Sequence, residues 1–218
     1  MRRARTDTPI SLIELIMDLR SRGISDTHIL AAIEKVPRED FVETAFSHDA
    51  YANRALPIEC GQTISQPFVV AYMLMALEVN DRHKVLEVGL GSGYQTAILS
   101  HLCRRVYAIE RYRTLARLAE ARLAALRITN VTVLVGDGMK GWQPQAPFDR
   151  IIVSACADET PTALIEQLAV GGIMVIPVGT SGGDQHIFKV RKTETGIEET
   201  KLIPVRFVPL VPGTAKQL

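Results

Sequence analysis

The sequence predicts an α/β protein: a Rossmann-like, doubly wound, mostly parallel sheet, with a helical extension ahead of it and antiparallel strands at its C-terminal end. Three observations carry this. From residue 84 onward, short apolar runs alternate with helical periodicity, the texture of a parallel sheet covered by helices on both faces. The first run passes into a helix through Gly89, Gly91 and Gly93, as strand-to-helix turns of such folds do. Near the C-terminus the alternation gives way to two apolar runs around a TETG turn, the pattern of an antiparallel pair.

Element by element, Leu12, Leu15, Ile16 and Leu19 recur at helical spacing over 11–20, and Ser11 with Glu14 fits a capping box. Gly23 ends that helix, and Ser25 can cap a second one that stops before Pro37. The pair reads as a helical cap on the main domain and not as a DNA-reading helix-turn-helix, because no basic run follows. Residues 46–67 carry no sustained period, and connections of that length are commonly lids or binding loops. Tyr51, Leu56, Ile58 and Ile64 give this segment something to pack. Pro67 opens a helix to about Leu77. Strands are then expected at 84–88, 105–109, 131–135, 150–155 and 172–178, with helices at 94–102, 112–126 and 162–168 between them. The final pair covers 186–193 and 201–211. The expected organisation is an extension and loop over 1–67 followed by the core over 68–218, compact as a whole.

Composition narrows the function. With 218 residues the chain can bury roughly 70% of its unfolded surface without metal or disulfide staples. A net charge of +1 argues against bulk electrostatic attachment to nucleic acid or membrane. Cys60, Cys103 and Cys156 are too few and too scattered for a disulfide framework or zinc site, and read as reduced thiols of a cytoplasmic protein. The five histidines show no metal-ligand spacing, so no metal is expected. The longest apolar run, 68–77, is half of what a bilayer requires. Arg2, Arg3 and Arg5 precede a stretch broken by Glu14 and Asp18, which a signal peptide would not tolerate.

The glycine turn is the most specific local signal. A dinucleotide-binding turn wants G-x-G-x-x-G, whereas here the sequence is G-x-G-x-G and the third position holds Tyr94. Glu87, two residues ahead of Gly89, suits an ammonium group better than a pyrophosphate. Glu110 ends the second strand, where a carboxylate can accept both hydroxyls of a ribose. Asp137 and Gly138 end the third, where a side chain and a backbone amide can hold an adenine edge. Together these favour S-adenosylmethionine, a nucleoside carrying an amino acid tail instead of phosphates. A dehydrogenase using NAD is the reading from another class.

Several stretches then resemble the protein-L-isoaspartate O-methyltransferase family: VPREDFV at 36–42, ALPIECGQTISQP at 55–67, VLEVGLGSGY at 85–94, GDGMKGW at 136–142, LIEQLAVGGIMVIPVG at 164–179 and VRFVPLV at 205–211. They follow the family's order from about residue 10 to 212. The resemblance implies methylation of the free α-carboxylate of L-isoaspartyl residues in damaged proteins and peptides. The ester then closes to a succinimide that partly reopens as normal aspartate. It implies that Ser65, within Ile64-Ser65-Gln66-Pro67, is the active-site serine, and that Ile64 contributes to the cofactor site. By chemistry alone Ser65 is as well explained as a turn residue or N-cap before Pro67.

The chemistry asks for little else. A carboxylate of ordinary pKa ~3.9 is ionised at neutral pH and needs no general base, so the protein must position the reactants and exclude water. Three departures from the family pattern stand out: Leu90 in place of a hydroxyl residue, Glu59-Cys60 ahead of GQTIS, and SACADETP at 154–161. Glu59 and the last segment motivate an alternative, a methyltransferase retuned to another carboxylate. No N-P-P-Y-like motif follows the fourth strand, against methylation of nucleic acid bases. An enzyme acting on many proteins is expected to grip peptide backbone, and Val205, Arg206, Phe207 and Val208 are the expected docking segment. Nothing in the sequence calls for an oligomer, and a monomer is expected.

Overall fold

The computed structural model describes residues 10–180 and 182–215, so Arg2, Arg3 and Arg5 lie outside the described residues. Helix α1 (Ile10–Ser21) buries Leu12, Leu15, Ile16 and Leu19, the face their spacing requires. Ser11 is its second residue, so the expected capping box does not form the helix start. Helix α2 (Thr27–Lys35) is capped by Asp26 and not by Ser25. The Asp26 carboxylate accepts from the backbone N–H of His28 at 2.8 Å and of Ile29 at 3.2 Å. A charged acceptor suits the positive end of a helix better than a hydroxyl.

The long aperiodic segment contains a small hairpin, β1 (Leu56–Pro57) paired antiparallel with β2 (Thr63–Ile64). Leu56, Ile58 and Ile64 are buried, which ties the hairpin to the body of the protein. Its tip turns through Cys60 and Gly61, both with positive φ. Helix α3 (Pro67–Leu77) starts with Pro67 in its first turn, as expected.

The main sheet has seven strands: β3 (Lys84–Val88), β4 (Arg105–Glu110), β5 (Val131–Val135), β6 (Phe148–Val153), β7 (Leu168–Gly179), β8 (Gln185–Lys192) and β9 (Ile197–Val205). Their order is β5-β4-β3-β6-β7-β8-β9. Neighbours are parallel from β5 through β7, then antiparallel. Helices α4 (Tyr94–Ser100), α5 (Arg113–Ala125) and α6 (Thr162–Gln167) fall between strands. The chain builds outward from β3 to β5, then returns to place β6 on β3's other side. That reversal opens a crevice at the carboxyl ends of β3, β4 and β6, where ligands of open α/β sheets bind.

Successive strand residues alternate between two cores. Val85, Val106, Ile152, Ile173 and Val175 join the cluster that includes residues of α1 to α5. Leu86, Ile151, Val153, Met174 and Ile176 join the opposite cluster with Leu164 of α6, Phe148 and Trp142. Both faces are therefore buried, the condition for a parallel sheet. The cover is lopsided, with five helices contributing to one side. Trp142 anchors its loop, with its ring edge-on to Tyr107 at 5.4 Å and its backbone N–H donating to Gln167 Oε1. The Lys189–Lys192 face is not simply solvated. Lys189 pairs with Glu78, and the Lys192 ammonium donates to the carbonyls of Ile165, Glu166 and Leu168 at the end of α6. Free carbonyls at a helix C-terminus recruit a cation in this way.

The last strand ends earlier than the apolar run suggests. β9 stops at Val205, and the chain beyond crosses to the end of β6. There the Cys156 N–H donates to the Val208 carbonyl at 2.8 Å, and the Leu210 N–H to the Cys156 carbonyl at 2.7 Å. Pro209 has no N–H to extend a ladder, and the chain makes a single parallel bridge across it. Among the described residues no helix is long and apolar enough to cross a membrane.

Candidate active site

The crevice at the strand ends is a cleft of about 830 Å³, open mouth included. Its floor is the β3–α4 turn. Gly89, Gly91 and Gly93 all have positive φ, between 53° and 89°, which side-chain-bearing residues adopt only under strain. At Gly93 a Cβ would also lie 3.0 Å from that of Ala119 on α5, so the turn packs as closely as it bends. The turn is held from β4: the N–H groups of Gly89 and Leu90 donate to the Ile109 carbonyl, and that of Gly91 to Glu110.

Glu110 lines the cleft at the end of β4 and is 5% exposed. One carboxylate oxygen accepts the Gly91 N–H at 2.9 Å and the other the Tyr112 N–H at 3.0 Å. Burial pushes its pKa above the ordinary carboxylate range, while these N–H groups pull it back. Each oxygen keeps a further lone-pair direction for a ligand hydroxyl.

The other expected anchors are distributed differently. Ile64, Ser65, Gly89, Gly91, Glu110 and Gly138 line the cleft, as does Val208. Glu87 does not. It points to the α4 side of the sheet, fully buried, with its oxygens accepting from Gln95 Nε2 at 2.9 Å and Thr96 Oγ1 at 2.5 Å. Burial raises its pKa to about 7. Gln95 lines the cleft and bonds to Glu87, its Nε2 shared with Ser154 Oγ at 2.9 Å, so the hydrogen-bonded route from Glu87 to a ligand passes through an amide. Asp137 is not among the residues that line the cleft, and its Oδ1 caps the short turn after β5 by accepting the Met139 N–H at 3.0 Å. Its neighbour Gly138 faces the cleft instead, and a Cβ there would lie 2.4 Å from Val88 Cγ1. Gly93 serves as the N-cap residue of α4 behind the turn.

Ser65 lies on the wall of the same cleft, at the junction of β2 and α3. Residues that sequence reasoning passed over fix it there. The Asn53 side-chain oxygen accepts the Phe68 N–H at 3.0 Å, while its backbone carbonyl accepts from Gln66 Nε2 at 2.8 Å. Arg38 Nη2 donates to the Ser65 carbonyl at 2.8 Å. Only the VPREDFV stretch hinted at Arg38, and nothing pointed to Asn53.

The expected docking segment reaches the same cleft. Val208 and the residues following it form one wall, while Val205, Arg206 and Phe207 lie further back. The side chain of Gln185 holds Phe207 as a neighbouring strand would, accepting its N–H at 2.6 Å and donating to its carbonyl at 3.4 Å. Glu59, one of the departures from the family pattern, pairs with Arg122 at 3.3 Å, and Arg122 also donates to the Ser92 carbonyl. Among the described residues no cluster of three or more His, Cys, Asp or Glu side chains could hold a metal ion.

The cleft thus combines an acidic strand end with free acceptor capacity, a backbone-lined turn and a serine facing them, which fits a nucleoside with a charged tail. Comparison with known proteins agrees. Residues 11–215 match the profile of the protein-L-isoaspartate(D-aspartate) O-methyltransferase family. The protein-L-isoaspartate O-methyltransferases of Parvibaculum lavamentivorans and Rhodospirillum rubrum are each 58% identical over 207 residues. The alignments cover 94% of this chain and 93% and 94% of theirs. A solved protein-L-isoaspartate O-methyltransferase superposes with a TM-score of 0.83 at 28% identity, covering 91% of this chain and 65% of that one. A Plasmodium falciparum β-aspartate methyltransferase in complex with S-adenosyl-L-homocysteine gives 0.79 at 25%, covering 91% and 97%.

Proposed function

The chain belongs to the protein-L-isoaspartate(D-aspartate) O-methyltransferase family, and from that premise we propose how its cleft divides the work. The activity is transfer of a methyl group from S-adenosylmethionine to the α-carboxylate of L-isoaspartyl residues in damaged proteins and peptides. Membership removes the dehydrogenase reading. The Glu59–Arg122 pair takes away one of the two motives for a different carboxylate substrate, leaving the 154–161 segment as the other.

S-adenosylmethionine, when bound, supplies a methyl group already activated on a sulfonium. Glu110 binds its ribose hydroxyls through the two unused lone-pair directions. The Gly89–Gly91 turn, Ile64 and Gly138 provide the close, largely backbone walls for the rest of the nucleoside and tail. Glu87 and Asp137 support this site from behind, through Gln95 and through the Gly138 turn. Ser65 orients the acceptor carboxylate with its hydroxyl, a neutral donor that leaves the oxygen nucleophilic. The hairpin of the N-terminal segment lines the cleft through Ile64, and the C-terminal segment lines it from Val208 onward, offering the Val208 N–H to an extended peptide while Val205, Arg206 and Phe207 support it from behind. The cell compartment proposed is the cytoplasm, supported by three unpaired cysteines, and the working unit a monomer.

The observation that carries this is the convergence of Glu110, the glycine turn and Ser65 on one cleft. Matched peptides bearing L-isoaspartyl or L-aspartyl at one position test it. Methyl transfer should be confined to the first. Ser65→Ala should lower the rate while cofactor affinity stays within about a few-fold, since the hydroxyl serves the acceptor. Collapse of cofactor affinity would assign Ser65 to the cofactor site instead.

A further inference from the structure

Arg38 uses only one of its nitrogens to brace Ser65, yet it is among the most deeply buried side chains of the protein, with no exposed surface. It stands on the short turn after α2, in the VPREDFV stretch. Its guanidinium reaches the back of the Ser65 turn, where Nη2 donates to the Ser65 carbonyl at 2.8 Å. Its carbon centre lies 4.7 Å from the centroid of the Tyr94 ring, and Tyr94 is part of the cleft wall. Nε and Nη1 are buried without a hydrogen-bond partner among the described residues, while the neighbouring Tyr94 and Tyr51 hydroxyls favour the charged form of the group. The neighbouring Glu39 carboxylate accepts from the Tyr51 hydroxyl.

Buried charges are normally paired, because an ion withdrawn from water without a counter-ion is expensive to hold. One carbonyl, the Tyr94 ring face and two phenol hydroxyls, all neutral at physiological pH, compensate a guanidinium only in part. The missing negative charge has an obvious source in a reaction whose acceptor is a carboxylate beside Ser65. We propose that Arg38 is a positioning residue for that carboxylate. It fixes the Ser65 turn from behind and supplies the positive potential that favours an anionic acceptor over a neutral one, without touching the reacting oxygens. The placement solves a chemical conflict. A guanidinium fork directly on the carboxylate would occupy the lone pairs that must attack the methyl group. Set behind one turn of backbone, in a wall that excludes water, the charge still acts at longer range.

The inference rests on the isoaspartyl reading above, and the test separates the two. Two peptide ligands are compared in each variant: an isoaspartyl peptide, and the same peptide with its α-carboxylate converted to a carboxamide, used as a competitive inhibitor. The ratio of their affinities reads the charge effect and is insensitive to a general loss of folded protein. In the wild type the carboxylate should be preferred. Arg38→Met should shrink that preference by about fivefold or more, with affinity for S-adenosylhomocysteine held within about threefold. Arg38→Lys keeps the charge but not the bond to Ser65, so the preference should largely return while kcat falls about tenfold. An unchanged ratio in Arg38→Met overturns the proposal, as does a parallel loss of S-adenosylhomocysteine affinity, which would assign the charge to the cofactor's carboxylate. Should Arg38→Met fail to fold, Arg38→Lys decides alone, and an unchanged kcat there overturns it. A wild type indifferent to the carboxylate would instead defeat the functional reading itself.

Discussion

Replacing Glu110 by alanine should separate cofactor binding from chemistry. The carboxylate has four acceptor directions, two of them used by the Gly91 and Tyr112 N–H groups at 2.9 and 3.0 Å. The remaining two are offered to ribose hydroxyls. Hydrogen bonds to a charged acceptor are each worth about 1.5–3 kcal/mol. The alanine variant loses both ligand bonds, but water entering the space restores part of what the ligand hydroxyls lose. A net loss of about 1–3 kcal/mol follows, equivalent to a roughly 5- to 150-fold weaker affinity. Isothermal calorimetry with S-adenosylhomocysteine reads this directly, and kcat at saturating cofactor should stay within about a few-fold. The wild type has a related pH signature. Because burial raises the Glu110 pKa, the carboxylate gains its proton at a higher pH than an ordinary glutamate, and affinity should begin to fall correspondingly early on acidification. A Glu110→Ala protein that is folded yet binds S-adenosylhomocysteine unchanged would refute the ribose assignment and the cofactor pose built on it.

Glu87→Gln should change stability in a pH-dependent way. With the folded pKa raised from 4.5 to about 7, the folded state binds the extra proton between those values, so the wild type loses stability as pH rises through that window. At 1.36 kcal/mol per unit the loss is on the order of 3 kcal/mol; urea melts at pH 5 and pH 8 should show it as the excess loss of the wild type over the glutamine variant, since the raised Glu110 pKa acts in both. A wild type equally stable at both would mean that Glu87 is ionised throughout. Val208→Pro should raise KM for several unrelated isoaspartyl peptides together, because it removes a backbone N–H at the cleft wall while leaving the Val208 carbonyl bonded to Cys156. A loss confined to one peptide would point to side-chain reading.

What was legible in the sequence, and what was not, divides along physical lines. The glycine turn and Glu110 were readable because local rules decide them: a strand that ends, a turn that needs positive φ, a carboxylate one strand over. Glu87 and Asp137 sit at equally good sequence positions, yet neither faces the cleft. For Glu87 the period of two settles the matter, since it shares a face with Val85, under α4, but that face is identified only when the helix covering it is known. Asp137 gives one carboxylate oxygen to a competing local bond, the Met139 N–H lying two residues ahead of it. The same competition moved the α2 cap from Ser25 to Asp26. The residues that hold Ser65 were invisible for a different reason. Arg38 and Asn53 act across 27 and 15 residues of chain, the latter through Phe68, and no periodicity encodes such a meeting. The C-terminal segment combines both cases. Its β-rich composition correctly marked it as extended chain, but past Val205 its partners are the Gln185 side chain, at Phe207, and then the Cys156 backbone beyond the end of β6, in place of the β8 backbone. That departure from the ladder is what delivers Val208 to the cleft. A longer β9 would have kept those backbone groups at the sheet's edge, away from the serine and the glycine turn. The site is therefore assembled where regular pairing stops, at strand ends, at a proline-broken strand and at a turn braced from outside the sheet.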